Sequence, residues 1–170
     1  MAANLRGASL EGADLADADM DRADLTGAVL RGAAMQGARG GRAAAVPVAS
    51  PQGALQYTLK VGKPVVMALT ACAGLRLASV ALTNVYGRET VSGDHCAQRM
   101  EVQTGPSEAG PWTSVLRFTS AQTTAPQTFA APADAPVLAG YVQVLVHDTY
   151  GGETCFPYVT SLELAGTAWG

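Results

Sequence analysis

The stretch ANLRGASLEGADLADADMDRADLTGAVLRGAAMQG, residues 3–37, decides the fold of the N-terminal part of the chain. It divides without a gap into seven five-residue units, each with a small residue first and leucine or methionine third. The third positions are Leu5, Leu10, Leu15, Met20, Leu25, Leu30 and Met35. An α-helix of period 3.6 would spread this column around its circumference, and a strand of period 2 would send alternate units to opposite faces. The spacing therefore predicts a coil with one unit on each side and the seven apolar side chains as its core.

The units resemble the pentapeptide-repeat family, whose pattern is A-(D/N)-L-x-x, over residues 3–38. This resemblance implies a right-handed quadrilateral β-helix with four units in each turn, so the seven units make fewer than two turns. Solenoids are stabilised by stacking of neighbours, and each end leaves unpaired backbone groups and an apolar face. We expect this short β-helix either to dock on the rest of the chain or to continue a stack supplied by another chain or by residues outside this sequence.

After Ala38 the periodicity ends in a segment rich in glycine, proline and alanine. We therefore predict three regions, which are a β-helix stub at 1–39, a linker at 40–54 and a β-sandwich jelly roll at 55–168. Eight short apolar or alternating segments predict the strands of the sandwich, at 55–60, 64–72, 77–84, 98–103, 112–119, 126–131, 140–147 and 158–165. Five aromatic residues are expected in its core, namely Tyr57, Trp112, Phe118, Phe129 and Tyr141. The predicted fold class is all-β.

The second region resembles the galactose-binding-like jelly roll, and the nearest relatives by motif are SUN domains and discoidin domains, the C-type domains of coagulation factors. The resemblance rests on MEVQTGPSEAGPWTSVLRF, QTFAAP and GYVQVLVHDTYGGETC, which follow in that order within residues 98–166. It departs from the family pattern at Gly140, where an arginine is usual, and at Glu153, where a tyrosine is usual. The resemblance implies loops at one end of the sandwich that carry any function.

No arrangement of residues in the sequence predicts catalysis. His95 and His147 each adjoin an aspartate, but adjacent residues on an extended chain point apart, and neither a triad nor a phosphate loop can be assembled. A binding site is the better hypothesis. The loop residues that combine aromatic, basic and acidic chemistry are its candidates, namely Tyr86, Arg88, Asp94, His95, Tyr150 and Glu153. The same residues also fit ordinary turns, because fold resemblance alone does not transfer a site.

The three cysteines predict no metal site, because Cys72, Cys96 and Cys155 show no CxxC pairing and no histidine at ligand spacing. Cys72 lies in an apolar run and is expected to be a buried small hydrophobic residue. Cys96 and Cys155 lie in loop-like surroundings, where a disulfide would join them if the fold brings them together. We expect neither a metal ion nor an organic cofactor.

The net charge of −3 lies in the repeat, because residues 1–38 hold six acids against three arginines and the remainder holds eight charges of each sign. This balance offers no stripe for phosphate neutralisation and argues against a nucleic-acid partner. No apolar run reaches the roughly 18–20 residues of a membrane span, and the N-terminus shows no secretory signal. We expect a water-soluble chain, and the sequence does not indicate its compartment.

Two functions are compatible with this sequence. The first is a non-enzymatic structural subunit that docks within a larger protein assembly through its jelly roll and its unfinished β-helix. The alternative is a carbohydrate-binding module that uses the jelly-roll loops. The first predicts other protein subunits as partners, and the second predicts a glycan.

Overall fold

A computed structural model describes residues 2–48, 57–58, 60–70, 72–84, 95–152 and 157–170. Residues 3–39 form a coil, which is followed by strands that pair into two sheets. The strands within the described ranges are β1 (Arg42–Pro47), β2 (Tyr57–Thr58), β3 (Val65–Ala68), β4 (Gly74–Asn84), β5 (Arg99–Gly105), β6 (Thr113–Thr119), β7 (Gln127–Ala130), β8 (Tyr141–Val146) and β9 (Tyr158–Trp169).

The backbone of the coil repeats every 20 residues. Four parallel bridges each join a residue to the one 20 positions later, namely Asn4–Asp24, Ser9–Val29, Asp14–Ala34 and Asp19–Arg39. At the first bridge, the Leu5 N–H donates to the Asp24 carbonyl at 2.9 Å, and the Asp24 N–H donates to the Ala3 carbonyl at 3.0 Å. A step of 20 residues corresponds to four five-residue units, so the first turn spans residues 3–22 and the second begins at Ala23.

The second and fifth positions of each unit explain the corners of the coil. In four units the side-chain oxygen of an Asn or Asp at the second position accepts a backbone N–H two residues later, as in the bond from the Ala16 N–H to Asp14 Oδ1 at 3.1 Å. Aspartate and asparagine favour this local bond, which stabilises a turn. Residues at the fifth position have positive φ, and five of them are glycines. Asp17 and Arg22 hold the same conformation, with φ of 57° and 62°.

The strands form a β-sandwich. One sheet has the order β1-β9-β4-β7, with β2 also paired to β9, and the other has the order β3-β8-β5-β6. Every named pair is antiparallel. The buried core between the sheets draws on both, with Val80 and Leu164 from the first and Val102 and Val144 from the second. Alternation along the strands therefore supplies one apolar face to the core from each sheet.

Each of the eight predicted strands overlaps an observed one, whereas β1 lies within the predicted linker. Its sequence, RAAAVP, contains three alanines and ends on proline, so local propensity gives no strand signal. The segment is a strand because it pairs along its whole length with β9, from Arg42 opposite Ala168 to Pro47 opposite Glu163. Proline is tolerated there because β1 is an edge strand. The prediction of a linker is therefore wrong for these six residues.

The aromatic residues of the sandwich divide between the core and the surface. Phe118 is buried and stacks on Phe129, with ring centroids 4.3 Å apart. Trp112 and Tyr141 are only half-buried and lie outside the core cluster, so their predicted core position is wrong. Tyr141 alternates with the core residue Val142, which places it on the outer face. The side chain of Tyr57 lies outside the described residues.

The structure tests only part of what the sequence predicts for the three cysteines. Cys72 is half-buried rather than buried and packs against the sandwich core, and burial raises the pKa of its thiol. Cys96 is buried, and its Sγ lies 4.0 Å from the Thr123 carbonyl oxygen. Cys155 lies outside the described residues, so the disulfide between Cys96 and Cys155 stays a prediction.

Candidate functional site

The two ends of the sandwich carry different structures. Strand β4 begins at Gly74 beside the coil and runs to Asn84 at the opposite end. The ends of β4, β6 and β8 and the starts of β5, β7 and β9 all lie at that opposite end, because the paired strands are antiparallel. We call this the loop end. In the sequence, the six binding-site candidates fall between β4 and β5 or between β8 and β9.

Two of those candidates are described by the structure, and they lie close together. His95 and Tyr150 are both half-buried, and the Tyr150 N–H donates to the carbonyl of Cys96, the neighbour of His95, at 3.3 Å. The Tyr150 hydroxyl donates to the Ser120 carbonyl at 2.6 Å. Tyr150 therefore ties two loops together through its polar tip. The other candidates lie outside the described residues, namely Tyr86, Arg88, Asp94 and Glu153.

A buried polar network supports the loop end. Asn84 is fully buried, and its Oδ1 accepts the Ala97 N–H at 3.2 Å while its Nδ2 donates to Ser120 Oγ at 3.3 Å. The Ser120 hydroxyl in turn donates to the Ala97 carbonyl. Because these polar groups have partners, the network joins the end of β4 to the residues just before β5 and just after β6 at little cost in desolvation.

A second polar cluster lies on the outer face of the four-stranded sheet, around the buried carboxylate of Glu101. Its Oε1 accepts from Gln103 Nε2 at 2.9 Å and lies 3.1 Å from Arg117 Nε. Its Oε2 lies 2.9 Å from His147 Nε2. The carboxylate is only 2% exposed, whereas the Arg117 and His147 side chains are 73% and 42% exposed. Glu101 therefore anchors two exposed nitrogen-bearing side chains from below.

The charge state of Glu101 follows from these contacts. Burial on its own raises the pKa of the carboxyl group, but hydrogen bonds from Gln103, Ser114, His147 and Arg117 outweigh it and lower the pKa to about 2. The group is thus ionised at neutral pH. Sequence reasoning missed Glu101 and Arg117, because an acid and an arginine at outward positions of alternating strands are common on any solvated sheet.

A cavity of about 480 Å³ lies beside this cluster. It is lined by Arg99, Met100, Arg117, Phe118, Thr119 and His147. Arg99 is held by Asp148, whose Oδ2 lies 2.7 Å from Arg99 Nε. The hydrogen bond from Arg99 lowers the pKa of the Asp148 carboxyl group. None of the described residues that line the cavity is acidic.

The sandwich covers one end of the coil. Trp169 and Val137 pack into the same buried cluster as the second-turn residues Leu25, Leu30 and Met35. Trp169 is 2% exposed, and its Nε1 has no hydrogen-bond partner. A Cβ added to Gly74 would meet Val137 and Leu30, so the start of β4 approaches the coil closely.

Arg76 of β4 connects the coil and the sandwich at this covered end. Its Nη1 donates to the Met35 carbonyl at 3.2 Å, and its guanidinium carbon lies 5.8 Å from the centroid of the Trp169 ring. The arginine thus satisfies a carbonyl at the end of the coil and contacts the ring that covers the coil core. Nothing in the sequence marked Trp169 or Arg76 for this role.

The other end of the coil is open. The first-turn core residues Leu5, Leu10 and Leu15 are half-buried, whereas the three second-turn residues Leu25, Leu30 and Met35 are buried, as is Met20 near the end of the first turn. Each bridge pairs a first-turn residue with a second-turn residue. Among the described residues, the N–H of the first-turn residue forms no backbone hydrogen bond, as at Ser9 and Asp14. These groups form an unpaired β-edge around leucine side chains.

Two kinds of feature are absent from the described part of the chain. No helix there is long and apolar enough to cross a membrane. The same ranges hold no group of three or more His, Cys, Asp or Glu side chains that could bind a metal ion.

Comparison with known families matched the repeat segment. Residues 3–39 match the model for pentapeptide repeats, in eight copies. The comparison with curated proteins gave no match.

Several solved structures resemble the chain. The C-terminal domain of a chitobiase from Bacteroides fragilis is 15% identical with a TM-score of 0.46, and the match covers 63% of this chain and 64% of that one, just under two thirds of its length. The family 32 carbohydrate-binding module of NanJ from Clostridium perfringens, solved with galactose, is 16% identical with a TM-score of 0.46, covering 74% and 93%. The same module of AlyQ, solved with 4,5-unsaturated mannuronic acid, is 16% identical with a TM-score of 0.46, covering 71% and 92%. At these scores the resemblance assigns no ligand to this chain.

Proposed function

We propose that the protein is a non-enzymatic binding subunit that associates with another polypeptide through the open end of its coil. One observation carries the proposal, which is the difference between the two coil ends. Trp169 and Val137 cover the second turn, whereas the leucines of the first turn are only half-buried. We also infer that the coil is a right-handed quadrilateral β-helix, so that a second β-edge would continue its stack.

The open end has the chemistry of an association surface. An unpaired β-edge attracts another strand, because each new backbone hydrogen bond satisfies a donor and an acceptor. The half-exposed leucines add apolar area that a partner would remove from water. Native proteins blunt such edges with charge, bulges or a covering element. We therefore expect a partner that covers the first turn.

The net negative charge of the first turn indicates what kind of partner surface would bind there. The first turn carries five acids against two arginines, Arg6 and Arg22, and the acids are Glu11, Asp14, Asp17, Asp19 and Asp21. Two identical first turns would therefore repel each other. A partner edge flanked by lysine or arginine fits better, since opposite charges on facing edges steer association and suppress wrong partners.

The test compares two single substitutions in the tagged intact chain, expressed in its own organism. Leu10→Lys places a charge on the open end, and Val29→Lys is the matched control, since Val29 is an exposed valine on the flank of the second turn. Native mass spectrometry of the purified protein should give a complex for the unaltered chain and for Val29→Lys, and a single chain for Leu10→Lys. A single chain in all three preparations would contradict the proposal.

Carbohydrate binding at the loop end is the second candidate. The observation that favours it is the set of contacts at the loop end, where Tyr150 and the buried Asn84 network join residues 84, 96, 97 and 120 to one another. A preorganised loop end is where a sandwich presents a binding site. A glycan array followed by isothermal titration tests this candidate, with Tyr86→Ala as the site variant and Tyr150→Phe as the loop-brace variant. No binding of any glycan by the unaltered chain would exclude it.

A further inference from the structure

We infer that the cavity lined by Arg99, Arg117, Thr119 and His147 binds a small molecule through a carboxylate or sulfate group. This site lies on the sandwich and is independent of the coil end and of the loop residues Tyr86 and Tyr150. The inference starts from the residues that line the cavity. Two arginines, a histidine and a threonine hydroxyl group face it, and none of the described lining residues is acidic.

The carboxylates of the cluster lie beneath the cavity rather than in it. Glu101 is 2% exposed and Asp148 is 20% exposed, whereas Arg99 and Arg117 are 65% and 73% exposed. Glu101 holds Arg117 through Nε at 3.1 Å, and Asp148 holds Arg99 through Nε at 2.7 Å and Nη2 at 2.5 Å. Both guanidinium groups remain largely exposed, with Arg99 Nη1 and the two terminal nitrogens of Arg117 outside these contacts, and arginine held in this way is suited to planar recognition of an oxyanion.

The strand register brings these side chains onto one patch. Arg99 lies opposite Thr119, and Glu101 lies opposite Arg117 on the same pair of strands. On the other side, the His147 N–H donates to the Arg99 carbonyl at 2.8 Å, so His147, the residue after β8, continues the row. The donors thus project from a paired sheet, which holds a binding geometry better than a loop does.

The cost of the cluster supports a function beyond packing. Burying a carboxylate with four donors demands well-placed partners, and apolar residues of similar volume would serve stability equally well or better. A fixed Glu101 instead reduces the freedom of Arg117 and His147 before any ligand arrives, which lowers the entropy lost on binding. The volume of about 480 Å³ suits a molecule of sugar size.

The test is isothermal titration of the intact chain at low salt with sodium glucuronate, glucose and sodium sulfate. We expect glucuronate to bind and glucose, its neutral counterpart, to bind at least about tenfold more weakly. Sulfate that binds as tightly as glucuronate would identify a site for a free oxyanion, and weaker sulfate binding would identify an acid carried on a sugar-sized molecule. Either outcome supports the site.

Three variants locate the binding. Thr119→Trp fills the cavity without removing an arginine or Glu101, and Arg117→Lys keeps the charge but removes the planar fork. Each should weaken glucuronate binding by at least about tenfold. The control Arg22→Gln removes an exposed arginine of the coil and should leave the affinity unchanged. Thermal melts establish that each variant is folded, and if Arg117→Lys unfolds, then Thr119→Trp decides.

The inference is overturned if neither anion binds, if glucose binds as tightly as glucuronate, or if folded Thr119→Trp binds like the unaltered chain.

Discussion

At the scale of single residues, Glu101 has the most unusual environment among the titratable groups described. Its carboxylate is buried on the outward side of a sheet, where a solvated side chain would be ordinary. Four hydrogen bonds compensate for the lost hydration, so the ion pair with exposed Arg117 is only one part of the stabilisation. Removing the carboxylate leaves donors from Gln103 and Arg117 without their acceptor.

The lowered pKa of Glu101 makes the free energy of unfolding depend on pH in the acidic range. The pKa of the carboxyl group falls from 4.5 to about 2 on folding, so its contribution is fully present above about pH 4.5 and is lost as the pH falls towards 2. Substituting Glu101→Gln should lower the free energy of unfolding at pH 7 by up to about 3 kcal/mol. Urea unfolding at pH 7, 4 and 3 should show the two proteins converging as the pH decreases. An unchanged difference at all three pH values would contradict this assignment.

At the scale of elements, the coil is specified by its five-residue period, and its departures from that period are informative. Five units end in a glycine with positive φ, whereas Asp17 and Arg22 adopt the same left-handed conformation with a side chain attached. A side chain in this conformation costs about 1–2 kcal/mol per residue. The two positions are therefore sites of local strain within the first turn.

Substituting Arg22→Gly should raise the free energy of unfolding by about 0.5–1 kcal/mol, because relief of the left-handed strain exceeds the added entropy of glycine. The lost ion pair with Asp21, at 3.7 Å between two exposed side chains, contributes little. The reverse substitution Gly27→Arg is the matched control and should lower stability. Urea unfolding measures both changes, and a loss of stability for Arg22→Gly would show that the entropy of glycine outweighs the backbone strain at this position.

The two turns of the coil should also differ in their response to a lost leucine. Leu30 is fully buried in the second turn, and Leu30→Ala should lower the free energy of unfolding by about 2–5 kcal/mol. Leu10 is half-buried at the open end, so Leu10→Ala should lower it by roughly half as much or less. Equal losses for the isolated chain would mean that the open end is already covered.

At the scale of the whole molecule, the coil and the sandwich share a buried cluster. Trp169, the last residue of β9, packs on the coil. At the end of the coil the chain continues directly into β1, which pairs with β9 in the same sheet. Arg76 adds a hydrogen bond to the end of the coil. We therefore expect the two parts to unfold together.

Trp169 provides the test of this coupling. Trp169→Ala should lower the free energy of unfolding by about 3–5 kcal/mol and expose the second-turn core. Trp169→Phe is the control, because it keeps much of the ring and removes the indole N–H that has no partner, so its effect should be much smaller. Hydrogen exchange should report faster exchange of coil amides, such as that of Ala34, in Trp169→Ala. Unchanged coil protection would mean that the coil is stable without its cover.

Much of this architecture is present in local sequence. The period of five places small and apolar residues in two columns without reference to the rest of the chain, and alternation in YVQVLV predicts β8 for the same reason. Turn chemistry is also local, since Asp14 bonds to a backbone group two residues away. Periodicity and turn preference operate between neighbours, so one sequence is enough to detect them.

Contacts between distant segments account for what the sequence did not predict. The strand β1 exists only through pairing with β9, more than 100 positions later, and the cover over the coil depends on Trp169 meeting Leu30. Glu101 contacts Arg117 of β6 and His147, the residue after β8, which lie 16 and 46 positions away. The sequence by itself determined the repeat, the turns and most strands, and only the tertiary structure decided which coil end is covered and where charged groups converge. The physical reason is that these features arise from register between strands, which no single segment encodes.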